Sequence, residues 1–197
     1  MKKILSIDFD IIMSPSIEMY NSIADIPWEF RQKESIYYNI LTANYECYNK
    51  LTQYLLLLSK YISKEQIHFI TDHHQILNHL NDEEKYIIVN IDHHHDRGYG
   101  ENIHNELTCG NWVNYVPNLE RYLWINNSNS FVPEDLPADY VDIMEFDLQY
   151  FTTVDELFIC FSPLWISPNN QPLFYIWIDM YNRIYNTCFE LEKFDKS

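Results

Sequence analysis

Lys85-Tyr86-Ile87-Ile88-Val89-Asn90-Ile91 runs straight into Asp92-His93-His94-His95-Asp96. Ile87, Ile88, Val89 and Ile91 make the first seven residues rich in β-branched aliphatics without the polar alternation of a half-exposed strand, so they predict a strand covered on both faces. Strands of that kind belong to parallel sheets, in which ligand sites form outside the carboxyl ends of the strands. The carboxylate and histidine run occupies such a place.

Working outward, Gln66 to Ile70 reads as a short strand, followed by Asp72-His73-His74 and a helical stretch from Gln75 to Leu80. Farther upstream, Tyr45 to Ile62 (YECYNKLTQYLLLLSKYI) carries apolar residues at helical spacing with an apolar excess, as a helix packed on a sheet does. Lys3 to Ile12 (KILSIDFDII) reads as a buried parallel strand holding two carboxylates and stopped by Ser14-Pro15. Downstream of Gly110 the aromatic and Asn-rich residues up to Ser130 give no clear element, and Pro133 to Asp139 reads as a loop. Tyr140 to Gln149 and Glu156 to Phe161 read as strands and Phe174 to Tyr185 as a helix. Strand and helix alternating in this way imply right-handed crossovers and one α/β domain over residues 1–197, a three-layer α/β/α arrangement with a mainly parallel sheet.

Composition narrows the function. A chain of 197 residues with 47% apolar residues can bury a core unaided. Thirteen Lys and Arg against 29 Asp and Glu give a net charge of -16, which argues against nucleic acid or an anionic membrane surface as partner and leaves room for a cationic substrate. No apolar stretch reaches the roughly 18 residues of a membrane span. Cys47, Cys109, Cys160 and Cys188 form no C-x-x-C pair, and Met1-Lys2-Lys3 leads into a strand instead of a signal peptide, which predicts a reducing cytoplasm. The only glycines, Gly98, Gly100 and Gly110, cannot assemble G-x-G-x-x-G or a P-loop, so nucleotide-cofactor and ATPase readings fall away.

The chemistry rests on three clusters. In extended backbone Asp92, His94 and Asp96 point to one side and His93 and His95 to the other, so the first three are the candidate metal ligands from one segment. Their oxygens and nitrogens suit manganese, zinc or iron, and no thiolate stands nearby in sequence to close a structural zinc site. The plain alternative is a solvated histidine-rich loop. Asp8 and Asp10 form a second alternating pair inside aliphatic sequence, and burying two like charges together calls for a compensating cation unless the strand lies at an exposed edge. His73 or His74, between a short strand and a helix, supplies a nitrogen from a third segment. Trp124, Trp165 and Trp177 read as core, while Ser162-Pro163 and Ser167-Pro168, near the end of a strand, are candidates to border the pocket.

These residues resemble the arginase-like metallohydrolases and, within them, the short UPF0489 family that includes peptide arginases of ribosomal peptide modification. Asp92, His94 and Asp96 match D-x-H-x-D, Asp72-His73 matches the upstream D-H, and Ser6, Asp8 and Asp10 match S-x-D-x-D with Pro15 following. In ordinary arginases S-x-D-x-D follows D-x-H-x-D, so its place in the first strand here implies a rearranged connection. Glu145 to Thr153 (EFDLQYFTT) stands in the usual later order, with Gln149 where the second carboxylate belongs, and makes Asp147 a reserve ligand. The resemblance implies a minimal arginase/deacetylase-like fold and two Mn2+ ions. His73, Asp92, Asp96 and Asp8 would hold one, and His94, Asp92, Asp8 and Asp10 the other. It further implies a metal-activated water that attacks the guanidinium carbon of arginine in a peptide and releases urea and ornithine, with Asp96 and His94 in catalytic roles. Asn111-Trp112 resembles the N-W of UPF0489 proteins and is the candidate substrate-binding pair, with Trp112 as plain core the alternative.

Two rivals stay open. Ile91-Asp92-His93-His94 matches the I-D-H-H of DHH-type phosphoesterases, whose glycine-rich second domain this chain has no room for. A non-catalytic, peptide-binding arginase-like domain is the other. The sequence leaves oligomeric state, peptide identity and metal identity unassigned.

Overall fold

The computed structural model describes residues 1–13, 43–98, 106–128, 130, 132–134, 136, 139–147, 153–163 and 165–192. Six strands, β1 (Lys2–Asp8), β2 (Ile67–Ile70), β3 (Tyr86–Ile91), β4 (Leu119–Asn126), β5 (Asp139–Asp142) and β6 (Glu156–Cys160), form one sheet in the order β2-β6-β1-β3-β4-β5. Every strand pairing is parallel. The expected α/β class with a parallel sheet is what the chain adopts, and the KYIIVNI segment is a central strand, with Tyr86 and Ile88 to Ile91 buried.

One face of the sheet, built from Leu5, Ile7, Phe69, Val89, Ile91, Leu157 and Ile159, is covered by helices α1 (Tyr45–Leu58) and α2 (Gln171–Tyr185). Asn44 caps α1 by accepting from the Cys47 amide at 3.0 Å. The helix presents Cys47, Leu51, Tyr54, Leu55 and Leu58 inward at the spacing of one face. α2 starts with Pro172 in its first turn and ends on Asn186 in the left-handed conformation, φ 48°. The two helices lock together where Trp177 stacks on Tyr48 at 5.4 Å and its indole N–H donates to Thr52 Oγ1 at 2.8 Å. Trp177 is core, as expected from sequence.

The opposite face, with Ile4, Tyr86, Ile88, Tyr122, Trp124, Phe158 and Cys160, is covered among the described residues by 3-10 turns, His73–His79 and Trp112–Tyr115. The helical stretch expected over Gln75 to Leu80 is therefore a 3-10 segment. Its start is fixed by Gln75, whose side-chain oxygen accepts from the Thr71 and Asp72 amides at 2.8 and 2.7 Å, and tight turns of this kind suit short connections.

Other boundaries shift for equally local reasons. The expected strand over Lys3 to Ile12 stops at Asp8, and Phe9–Ile12 is a 3-10 turn. β4 lies in the stretch downstream of Gly110 that showed no pattern, and β5 (Asp139–Asp142) takes in only the first three residues of the strand expected over Tyr140 to Gln149. Pro15, Gly100 and Gln149 lie outside the described residues. No helix among the described residues is long and apolar enough to cross a membrane, and the four cysteines are free.

The topology creates a crevice. The helix after β1 packs on one face, whereas Trp112, Val113 and Val116, after β3, pack on the other. Adjacent parallel strands whose connections diverge in this way leave a gap at their carboxyl ends. Asp8 ends β1 and Asp92 follows β3 at that gap.

Candidate metal centre

Each strand of the crevice delivers its carboxylates through the same local device. Asp8 Oδ1 accepts the backbone N–H of Asp10 at 3.1 Å, and Asp92 Oδ1 accepts that of His94 at 2.8 Å. An aspartate bonding to the amide two residues on is an Asx turn, which ends a strand and curls the chain back over its own carboxylate. The ligand atoms converge for this reason, not through the extended alternation expected from sequence. Asp96 finishes the second run in the left-handed region at φ 52°. The His93 amide donates to Asp10 Oδ1 at 3.3 Å and ties the two turns together.

His73, the first residue of its 3-10 turn, enters from the side. Its Nδ1 lies 2.9 Å from Asp96 Oδ2, 3.1 Å from Asp92 Oδ2 and 3.3 Å from Asp8 Oδ2. Its other nitrogen, Nε2, is 2.7 Å from Ser6 Oγ, a contact that fixes the ring's direction. His94 Nδ1 lies 2.9 Å from Asp10 Oδ2 and 3.6 Å from Asp92 Oδ1. Asp92 thus turns one oxygen to each histidine. Three ligand atoms come within 4.8 Å of one another in each of the groups Asp10-Asp92-His94, His73-Asp92-Asp96 and Asp8-His73-Cys160.

The donor set fits a cation. Asp8, Asp10, Asp92, Asp96 and His73 are at most 4% exposed and His94 is 9% exposed. Four carboxylates against two imidazoles leave two negative charges uncompensated even with both rings protonated. Among the described residues no lysine or arginine forms an ion pair with these aspartates. Burial of that excess is unfavourable by several kcal/mol per ion unless cations or protons enter.

The carboxylates accordingly compete for protons. Burial raises Asp8, with Asp10 beside it adding to the effect, and burial likewise raises Asp10. Burial and the Asp92 charge push Asp96 up to about 7. Asp92 goes the other way: burial would raise it, but hydrogen bonds and charge from His73 and His94 hold it well below the usual carboxylate range. Burial opposes a charge on His73, yet Asp8, Asp92 and Asp96 raise it well above its ordinary value.

A surrounding set of groups orients the ligands. The Trp112 indole N–H donates to Asp96 Oδ2 at 2.6 Å, Asn90 Nδ2 to Asp92 Oδ2 at 3.0 Å, and Ser162 Oγ to Asp8 Oδ2 at 2.6 Å. Ser162 itself sits at φ 44°. His93 and His95 are buried behind the ligands, His93 with Nδ1 3.4 Å from Ser130 Oγ and His95 ring against Trp124. Burial and the neighbouring His94 lower them to about 3 and about 4, so both rings are neutral.

Several sequence expectations change. Cys160 stands at the centre although no thiol is near the histidines in sequence, because β6 is the neighbour of β1. Burial and Asp8 push its thiol well above the ordinary range, and it donates to the Thr71 carbonyl at 3.5 Å. Asn111 is buried, its amide bonding to the Thr108 N–H and the Glu106 carbonyl, and Trp112 is fully buried with its one polar hydrogen on Asp96. The polar atoms of this pair are thus engaged inside the fold. Asp147 is exposed and joins none of the metal-capable groups. His74 is half-buried and stands outside these groups too. Trp165, expected as core, is half-buried and its ring lies 4.8 Å from that of His94, the least buried ligand. Ser162 borders the centre as expected, whereas nothing in sequence pointed to Asn90 or Cys160.

A cleft of about 360 Å³ opens beyond β4 and β5, lined in part by Asn127, Ser130, Tyr140, Asp142 and Glu145. Ser130 contacts His93, and Asn127 Nδ2 donates to the Ile11 carbonyl at 2.8 Å, so the cleft wall abuts both ligand-bearing turns. Comparison with known proteins gives no significant match, whether to a protein-family model, a characterised protein or a solved structure.

Proposed function

We propose that this chain is a dinuclear metallohydrolase of the arginase type, removing urea from arginine side chains of a peptide to leave ornithine. The observation that carries the reading is Asp92, whose two carboxylate oxygens face two histidines that belong to two separate ligand groups. A shared carboxylate is what a pair of neighbouring ions requires. The S-x-D-x-D and D-x-H-x-D segments, far apart in sequence, end adjacent parallel strands, which also supports it. His73, Asp8, Asp92 and Asp96 would hold one manganese and His94, Asp8, Asp10 and Asp92 the other. Bound there, two such ions supply Lewis acidity and an activated water at neutral pH.

The chain's own residues do the rest. Trp112 and His73 hold Asp96 Oδ2 in place, so that Asp96 can orient the activated water and help pass a proton to the leaving amine. Asp142 and Glu145 give the cleft the charge that a guanidinium seeks, and Trp165 offers it an aromatic face beside His94.

Incubation of arginine-containing peptides with the manganese-loaded protein tests the reading by mass spectrometry. Each arginine converted should lower the peptide mass by that of cyanamide, with urea released in equal amount. Absence of that loss from peptides and from free arginine overturns it. Release of a nucleoside monophosphate from a small dinucleotide would point to the phosphoesterase chemistry instead.

A further inference from the structure

On the second face of the sheet, away from the buried centre, His68 of β2, His79 at the end of its 3-10 turn and Glu192 bring one ligand atom each within 4.8 Å of one another. We propose that they form a second metal site, for a transition-metal dication of the zinc type, that fastens the segment carrying Glu192 to the edge of the sheet.

The Glu192 carboxylate spans two imidazoles. Its Oε1 lies 3.5 Å from His68 Nδ1 and its Oε2 3.2 Å from His79 Nε2. The opposite nitrogen of His68, Nε2, is 2.9 Å from Glu156 Oε2. With Nε2 directed at Glu156, Nδ1 faces the Glu192 carboxylate, and a cation placed between the two is bonded by both. Carboxylate behind histidine, histidine towards metal is the usual way an imidazole ligand is oriented. Lys2 Nζ, 3.7 Å from Glu156 Oε1, balances the orienting carboxylate.

The rings are already held. His68 stacks on Phe158 at 4.6 Å and 16°, and the His79 ring lies 4.3 Å from His68 and 5.1 Å from Phe158. Little side-chain freedom remains to be lost on binding. Two nitrogens and one carboxylate form a zinc donor set, and side chains 17%, 26% and 38% exposed leave the remaining position to water. Glu192 reaches the site through its backbone: its N–H donates to the Phe69 carbonyl at 2.8 Å, and its carbonyl accepts from Thr71 Oγ1 at 2.8 Å. It lies on the outer side of β2, a strand at the edge of the sheet.

Zinc titration against a chromophoric chelator, with bound ions counted by native mass spectrometry, tests the site on the full chain. His79→Ala and Glu192→Gln should each bind one zinc fewer than the parent, or bind that zinc at least tenfold more weakly, with unchanged circular dichroism. Asp92→Asn should keep it, so the result does not depend on the buried centre. Zinc should also slow hydrogen exchange at the Glu192 amide in the parent and not in Glu192→Gln, the variant that decides the matter if His79→Ala disturbs the fold. Equal zinc count and affinity in the parent and Glu192→Gln would overturn the proposal.

Discussion

At the residue scale the centre is built on aspartates that each do two things. Asp8 and Asp92 end their strands by bonding to an amide two residues on, and their second oxygens face His73. Because Asp92 belongs to both the His73 and the His94 groups, Asp92→Asn should lower bound manganese to less than one per chain, while Asp10→Asn should retain the His73 ion. Elemental analysis after dialysis separates the two, and equal metal loss from both variants would remove the case for a shared ligand. Trp112→Phe deletes the N–H that holds Asp96 Oδ2. Loss of a group that orients a ligand costs about 10–100-fold in metal affinity or activity. A change of less than threefold, by metal titration, would show that Asp96 is positioned without the indole.

At the scale of elements, the strands of the crevice were legible because both are aliphatic runs ending in carboxylates, a pairing that few other roles require. β4 was not. Glu120 and Arg121 expose its beginning, Trp124 buries its N–H against the Asp92 carbonyl, and no period of two survives in LERYLWIN. The alternation over Asp92 to Asp96 assumes extended chain, whereas Asx turns bring Asp92, His94 and Asp96 to the crevice. Cys160 was invisible as a site residue because only the pairing of β6 with β1 brings it there. The 3-10 turn that carries His73 depends on Gln75 for two amides. Gln75→Leu leaves those part-buried amides without their partner, a loss of about 1–3 kcal/mol in urea unfolding. It should also weaken manganese binding, since His73 loses its anchor. A full-affinity centre in a destabilised protein would show that the turn does not position the histidine.

At the scale of the whole molecule, a metal bound at this centre would make stability depend on metal and pH together. Folded Asp96 keeps its proton to about 7, whereas the ordinary value is 3.8. Between those values the folded state binds the extra proton, so this residue's contribution makes the metal-free fold less stable as pH rises and levels off above about 7. Asp96→Asn has no such titration. Metal-free, the variant should gain on the parent between about pH 4 and about pH 8 in thermal unfolding. Saturating manganese should reverse the ranking at the upper pH, because the ion replaces the proton and binds only the folded parent well. A parent-to-variant difference that stays constant with pH would place the Asp96 proton elsewhere.

The left-handed backbone at Asp96 has a bearing on ancestry. At φ 52° few side chains other than aspartate and asparagine are tolerated without strain, and glycine is at ease. Drift at this position is therefore channelled. If Asp96 holds a metal as proposed, a descendant that no longer binds it would settle on asparagine or glycine there, leaving the turn intact and the tryptophan behind it without an anion to grip. Metal-binding and metal-free lineages would then be told apart by a single letter, with no structure in hand.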